Sequence, residues 1–88
     1  MKLIRKVRVT NDLGLHTRPA TVIVKLLQNC KSEVSFTLKK EMINAKSILS
    51  ILMLAAKKNS NITVSVEGVD SEEIMDKLAS AFESGFGE

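Results

Sequence analysis

The sequence contains one histidine, and it stands in Gly14-Leu15-His16-Thr17-Arg18-Pro19-Ala20, where a loop turns into a helix. A neutral imidazole nitrogen is a good nucleophile toward phosphorus. At a helix start the first amide N–H groups lack helical partners and the macrodipole is positive, so an anion is tolerated there. A phosphoryl group on His16 would gain about 0.3–1 kcal/mol from that placement. Arg18 can add a charge-assisted hydrogen bond of about 1.5–3 kcal/mol. Terms of this size hold a phosphoryl group without trapping it, which is what a carrier requires. Spacing alone leaves a second reading open: His16 as a surface residue or cap, Arg18 as a solvated charge and Pro19 as helix punctuation.

Other chemistries lack their parts. One histidine and one cysteine, Cys30, cannot make a metal set. No Gly-rich nucleotide loop is present, so the sequence predicts no metal and no cofactor.

The elements that must position His16 follow from periodicity. Leu3 to Thr10 places Val7 and Val9 on one face and Lys6, Arg8 and Thr10 on the other, a strand with one wet side. Val34, Phe36 and Leu38 alternate with Ser35, Thr37 and Lys39, and Ile62, Val64 and Val66 alternate with Thr63, Ser65 and Glu67. Met42 and Ile43 can form a short strand after a turn at Lys39–Glu41. Such alternation favours an antiparallel sheet with one covered face. Pro19, Ile23, Leu26, Leu27 and Cys30 recur at helical spacing, predicting a helix from Thr17 or Pro19 to about Asn29. Cys30 then reads as a small buried hydrophobe of that helix. Asp70 followed by Glu73 resembles a capping box. It opens a last helix with the apolar stripe Ile74, Met75, Leu78, Ala81 and Phe82, which Gly85 can end.

The middle helix is the anomaly. From Ile48 to Leu54 every residue except Ser50 is apolar, and Ser47 stands at its start as a candidate N-cap. A short helix on a sheet buries one stripe, so part of this surface is either an exposed contact patch or unusually deep core.

With 88 residues the chain is expected to form one domain, and its lone cysteine fits a reducing compartment. Met1 to Arg8 has no secretory apolar run, and no segment has the length to span a bilayer, so a soluble, cytoplasmic protein is expected. The net charge of +3 gathers in Arg5-Lys6-Val7-Arg8, Lys39-Lys40 and Lys57-Lys58, which suits an acidic or phosphate-bearing partner as well as plain solvation. Nucleic acid is disfavoured: there is no Tyr or Trp, and only three Phe are available to stack on bases.

The stretch from Gly14 to Ala20 resembles the active-site motif of HPr, the histidine-containing phosphocarrier family of the bacterial phosphoenolpyruvate-dependent sugar phosphotransferase system. Asn44-Ala45-Lys46-Ser47 resembles its second signature, around a regulatory serine, and Glu83-Ser84-Gly85-Phe86-Gly87-Glu88 resembles a common family ending. The likeness spans essentially the whole chain. It implies an α+β open-faced β-sandwich, βαββαβα, with a four-stranded antiparallel sheet and three helices on one face. It implies that His16 is phosphorylated on Nδ1 by enzyme I and passes the group to the A domains of enzyme II proteins, with Arg18 assisting. Ile48, Leu49 and Leu52 would form the docking patch, bordered by Thr17, Thr21 and Lys25. Ser47 would be a target of an HPr kinase/phosphorylase, and the protein a monomeric carrier without a substrate of its own. A regulatory relative acting through phospho-Ser47 alone is the alternative; such relatives tend to lack the active histidine. Three features depart from the family pattern. Lys40 and Ser50 stand where glycine is common, and the segment from Ala55 to Asn61 carries no glycine, leaving Asn59 or Asn61 to supply positive φ.

Overall fold

In the computed structural model, which describes residues 1–88, the chain runs β1 (Lys2–Arg8), α1 (Thr17–Leu27), β2 (Glu33–Leu38), β3 (Glu41–Asn44), α2 (Ile48–Leu54), β4 (Asn61–Glu67) and α3 (Ser71–Glu83), closed by a short 3-10 turn at Gly85–Gly87. The four strands form one antiparallel sheet in the order β1-β4-β2-β3. The expected βαββαβα sandwich is what forms.

Alternation decides which face is covered. Val34 and Phe36 of β2 and Ile62, Val64 and Val66 of β4 are buried under the helices. Their neighbours Ser35, Thr37, Thr63 and Ser65 line the open face together with exposed Ile4 and Met42. The covered face receives Ile23 and Leu27 from α1, Ile51 and Leu54 from α2, and Ile74, Met75, Leu78 and Phe82 from α3. Phe82 links the layers: its ring meets Phe36 edge-on at 5.7 Å and Phe86 at 4.9 Å. This last contact fastens the 3-10 turn to the core.

Several local expectations need correction. Asp70 does not cap α3, since its side chain makes no bond to the helix start. Its carboxylate accepts instead from the Lys31 amide at 2.8 Å and from the Ser32 hydroxyl, and Ser32 is fully buried. Glu73, the other half of the expected box, pairs with Lys77 at 3.0 Å one turn along. The hydroxyl of buried Ser32 needs a partner, and satisfying it outweighs a cap on an amide that water can reach. The first helix stops at Leu27, two residues before Asn29, and Cys30 lies beyond it, half-buried in the loop to β2.

The turns fall where φ is positive. Asn59 does take the left-handed conformation, at φ 73°, while Asn61 begins β4. In the β2–β3 turn it is Lys39, at φ 57°, that is left-handed, rather than Lys40. Ala55 ends α2 in the same region at φ 54°, which no residue-type signal announces.

Candidate functional site

His16 is held by the connection between β1 and α1. The Val9 carbonyl accepts from Asn59 at 2.7 Å, and the Leu15 amide donates to the Ala56 carbonyl at 3.0 Å. Leu15 is buried, so the chain enters α1 from a fixed point. Gly14 bends it there at φ 67°. His16 is the residue before the helix, with extended backbone, and its carbonyl accepts the first helical bond from Ala20 at 3.0 Å. No side chain caps the amides at this start. Pro19 and Ala20 are buried against the core, which turns Thr17 and Arg18 outward.

The imidazole is 30% exposed, and its Nε2 faces the side-chain carboxylate of Glu88, 3.1 Å from Oε1 and 3.0 Å from Oε2. Asn11 aims that carboxylate: its Nδ2 donates to Oε1 at 2.6 Å and to the Gly85 carbonyl at 2.8 Å. Arg18 reaches the same group at 4.0 Å through a side chain that is 76% exposed and free to swing. Desolvation raises the Glu88 carboxyl, but the hydrogen bonds from His16 and Asn11 and the charges of His16 and Arg18 outweigh it and hold the group below its ordinary value. The carboxylate is therefore ionised at neutral pH.

Thr17, Arg18, Thr21 and Lys25 line one shallow groove with His16, together with Leu13, Val22 and Glu88. Thr21 is turned back to donate to the Thr17 carbonyl at 2.8 Å. A second groove on the other side of His16 runs between Asn11, Asp12 and Gly85, so the ring stands on a ridge between two open hollows.

The apolar middle helix, α2, packs beside α1. Ile51 and Leu54 are its core residues, and Leu52 is half-buried. Ile48, Leu49 and Met53 are exposed at 38%, 66% and 72%. The surplus hydrophobicity is thus surface, not deep core, and Met53 belongs to the patch although the sequence motif did not single it out. Ser47 caps this helix, accepting from the Ser50 amide at 3.2 Å. Glu88 and Asn11 are the site residues that sequence reasoning missed. Glu88 was visible only as part of an ending motif, and nothing local marks Asn11.

An open-faced sandwich that holds a partly exposed histidine on a ridge at a helix start places the chain in a class of small α+β domains that carry one titratable side chain at the edge of the helical layer. A family model described as the PTS HPr component phosphorylation site matches residues 3–84. The phosphocarrier protein HPr of Chlamydia muridarum is 46% identical over 80 residues, 91% of this chain and 77% of that one. The HPr of Cupriavidus necator is 36% identical over 86 residues, 98% of this chain and 97% of that one. Among solved structures, HPr-C-His from Thermoanaerobacter tengcongensis superposes with a TM-score of 0.93 at 32% identity, covering 98% of this chain and 97% of that one. The chain belongs to the HPr family of the phosphotransferase system, and its role is that of a phosphocarrier. No helix is long and apolar enough to cross a membrane.

Proposed function

We propose that His16 is the residue that carries the phosphoryl group. It accepts the group on Nδ1 from enzyme I, itself charged from phosphoenolpyruvate, and delivers it to enzyme IIA domains of sugar permeases. The observation that carries this reading is the uncapped start of α1 directly behind a partly exposed imidazole. Unpaired amides there favour the anion that the transfer creates. Arg18 is the mobile partner, exchanging Glu88 for the phosphoryl oxygens.

Docking uses the exposed apolar surface of α2, Ile48 and Leu49 with the half-buried Leu52, and the groove residues Thr17, Thr21 and Lys25 at its border. Residues 1–88 act as one carrier unit, a cytoplasmic monomer that turns over no small molecule of its own, binds no nucleic acid and is not embedded in a membrane. Ser47 is half-exposed and its capping oxygen only accepts, which leaves the hydroxyl available to an HPr kinase/phosphorylase. A phosphate there would place about −1.5 to −2 charges beside the patch and repel acidic partners.

The test is incubation with phosphoenolpyruvate and enzyme I. One acid-labile phosphoryl group per chain is expected, and His16→Ala should abolish it. Labelling retained in that variant would sink the assignment, and kinase labelling of Ser47 without any on His16 would favour the purely regulatory alternative.

A further inference from the structure

We infer that the free edge of β1 docks an extended, acidic segment of a partner protein, which adds to the sheet as a further strand. The site is separate from the His16 ridge and from the apolar surface of α2, and it stands whether or not His16 carries a phosphoryl group.

β1 ends the sheet, in the order β1-β4-β2-β3, so one side of it is paired with β4 and the other with nothing. The register shows which residues face out. The Val9 amide donates to the Ser60 carbonyl at 2.9 Å, and the Gly68 amide to the Met1 carbonyl at 3.0 Å. Between these bonds the pairing runs from Lys2 opposite Glu67 to Arg8 opposite Asn61. Backbone direction alternates in an antiparallel ladder, so Leu3, Arg5 and Val7 point their amides and carbonyls at β4. Those of Lys2, Ile4, Lys6 and Arg8 point off the sheet, and the same alternation places these side chains on the open face. All of them are exposed.

Charge selects the occupant. β1 carries Lys2, Arg5, Lys6 and Arg8 and no acidic residue. None of these is in an ion pair, since the cations paired in the fold are His16, Arg18, Lys58 and Lys77. Lys2 alone faces a carboxylate, Glu67, whereas Lys6 and Arg8 face uncharged Thr63 and Asn61. A second copy of β1 would set cation against cation. An acidic segment would gain the unused backbone bonds together with cross-strand ion pairs, repeating every ~6.8 Å on both strands. The opposite edge, β3, is 4 residues long, too short to hold an added strand well. Edge lysines also guard a sheet against aggregation. Ile4 works against that role: it is 64% exposed in the middle of the row and offers an incoming apolar side chain a contact.

The edge is well placed to act beside the carrier site. α2 packs against α1 and β3, whereas α3 packs against β1 and β4. The β1 edge and the α2 surface therefore lie toward opposite sides of the sheet, and a segment held on β1 leaves the apolar patch free. The pairing also fixes the pattern of the segment. Antiparallel addition, the more stable arrangement, opposes acidic residues to Arg8, Lys6 and Lys2 and an apolar residue to Ile4. The segment then reads acidic-x-acidic-x-apolar-x-acidic.

NMR titration and amide hydrogen exchange of the full chain with a capped peptide, Glu-Thr-Glu-Thr-Val-Thr-Glu, test the inference. Without peptide the amides of Lys2, Ile4, Lys6 and Arg8 should exchange fast and those of Arg5 and Val7 slowly. At saturating peptide the first set should slow by roughly tenfold or more, with the shift changes centred on β1. Lys6→Glu with Arg8→Glu should weaken binding roughly tenfold, and added salt should weaken it in the native chain. Lys6→Gln with Arg8→Gln should show a smaller loss in the same direction, and it serves as the test if the doubly acidic chain does not fold. Lys40→Glu, in the β2–β3 turn, should leave binding unchanged, and a peptide with Lys in place of Glu should not bind. Shift changes confined to α1 and α2, edge amides that stay fast at the highest peptide concentration, or an affinity unmoved in both double variants would overturn the inference. Two further results would overturn it by assigning the edge elsewhere. Protection of these amides that grows with protein concentration alone would give it to a second copy of the chain. An oligothymidylate of equal charge that binds β1 as tightly as the peptide would give it to nucleic acid.

Discussion

Gly14 runs so close to Ala56 that a Cβ placed on it would drive into the Ala56 carbonyl, the same carbonyl that accepts from the Leu15 amide at 3.0 Å. One close approach therefore both requires a glycine and pins the residue before His16. Gly14→Ala adds this clash to a left-handed φ of 67°, which by itself costs a residue with a side chain roughly 1–2 kcal/mol. The variant should unfold at lower urea and accept phosphoryl groups more slowly, because His16 moves with the loop. A variant with native stability and rate would show that the approach is not needed.

Ala55 presents the opposite case. It closes α2 at φ 54°, its side chain is exposed, and a glycine would adopt that conformation without strain. Ala55→Gly is expected to stabilise the fold by roughly 0.5–1 kcal/mol in equilibrium unfolding. A loss of stability would mean that the methyl group packs more than its exposure implies.

Leu49 and Met53 are exposed at 66% and 72%, so their removal exposes no core. Leu49→Glu and Met53→Glu should each change stability by less than about 0.5 kcal/mol. If the patch docks partners, both should raise KM for transfer from enzyme I while leaving the rate at saturation near native. An effect from Leu49 alone would restrict the surface to the residues that the family motif marks.

Asp70 and Glu88 both have carboxyls held below their ordinary values. The backbone amide of Lys31 is the main cause for Asp70, with the Ser32 hydroxyl second. Below the ordinary carboxylate range the unfolded chain binds more protons than the folded one, so stability rises with pH there. Their contribution is complete at neutral pH and fades as pH falls below ~4 through the lowered values. Asp70→Asn should lower the unfolding midpoint at pH 7 and flatten its decline between pH 5 and 2. An Asn variant as acid-sensitive as native would remove Asp70 from this account.

Much of the architecture was legible because it is periodic. Val34-Ser35-Phe36-Thr37-Leu38 and Ile62-Thr63-Val64-Ser65-Val66 alternate, and the structure buries the apolar member each time except Leu38, which is half-covered near the strand end. The surplus apolar residues of Ile48–Leu54 left surface and deep core equally open, and the structure puts Ile48, Leu49 and Met53 on the surface. Gly85 was marked as a helix stop and takes φ 64° just after α3. Asp70 misled because a capping box is defined by neighbours in sequence, whereas its carboxylate went to Lys31 and Ser32, 39 and 38 residues away.

By itself the sequence determined the alternating strands, the helices between them, the placement of His16 at a helix start and the surplus of apolar residues on the middle helix. Each depends on spacing within one element, where side-chain direction repeats every two residues or every 3.6. Only the tertiary structure decided what faces the second nitrogen of His16. Glu88 lies 72 residues away and arrives through the Phe82–Phe86 contact and the Asn11 bond. No local pattern encodes that meeting, because it is set by how the core closes and which buried donors remain to be satisfied.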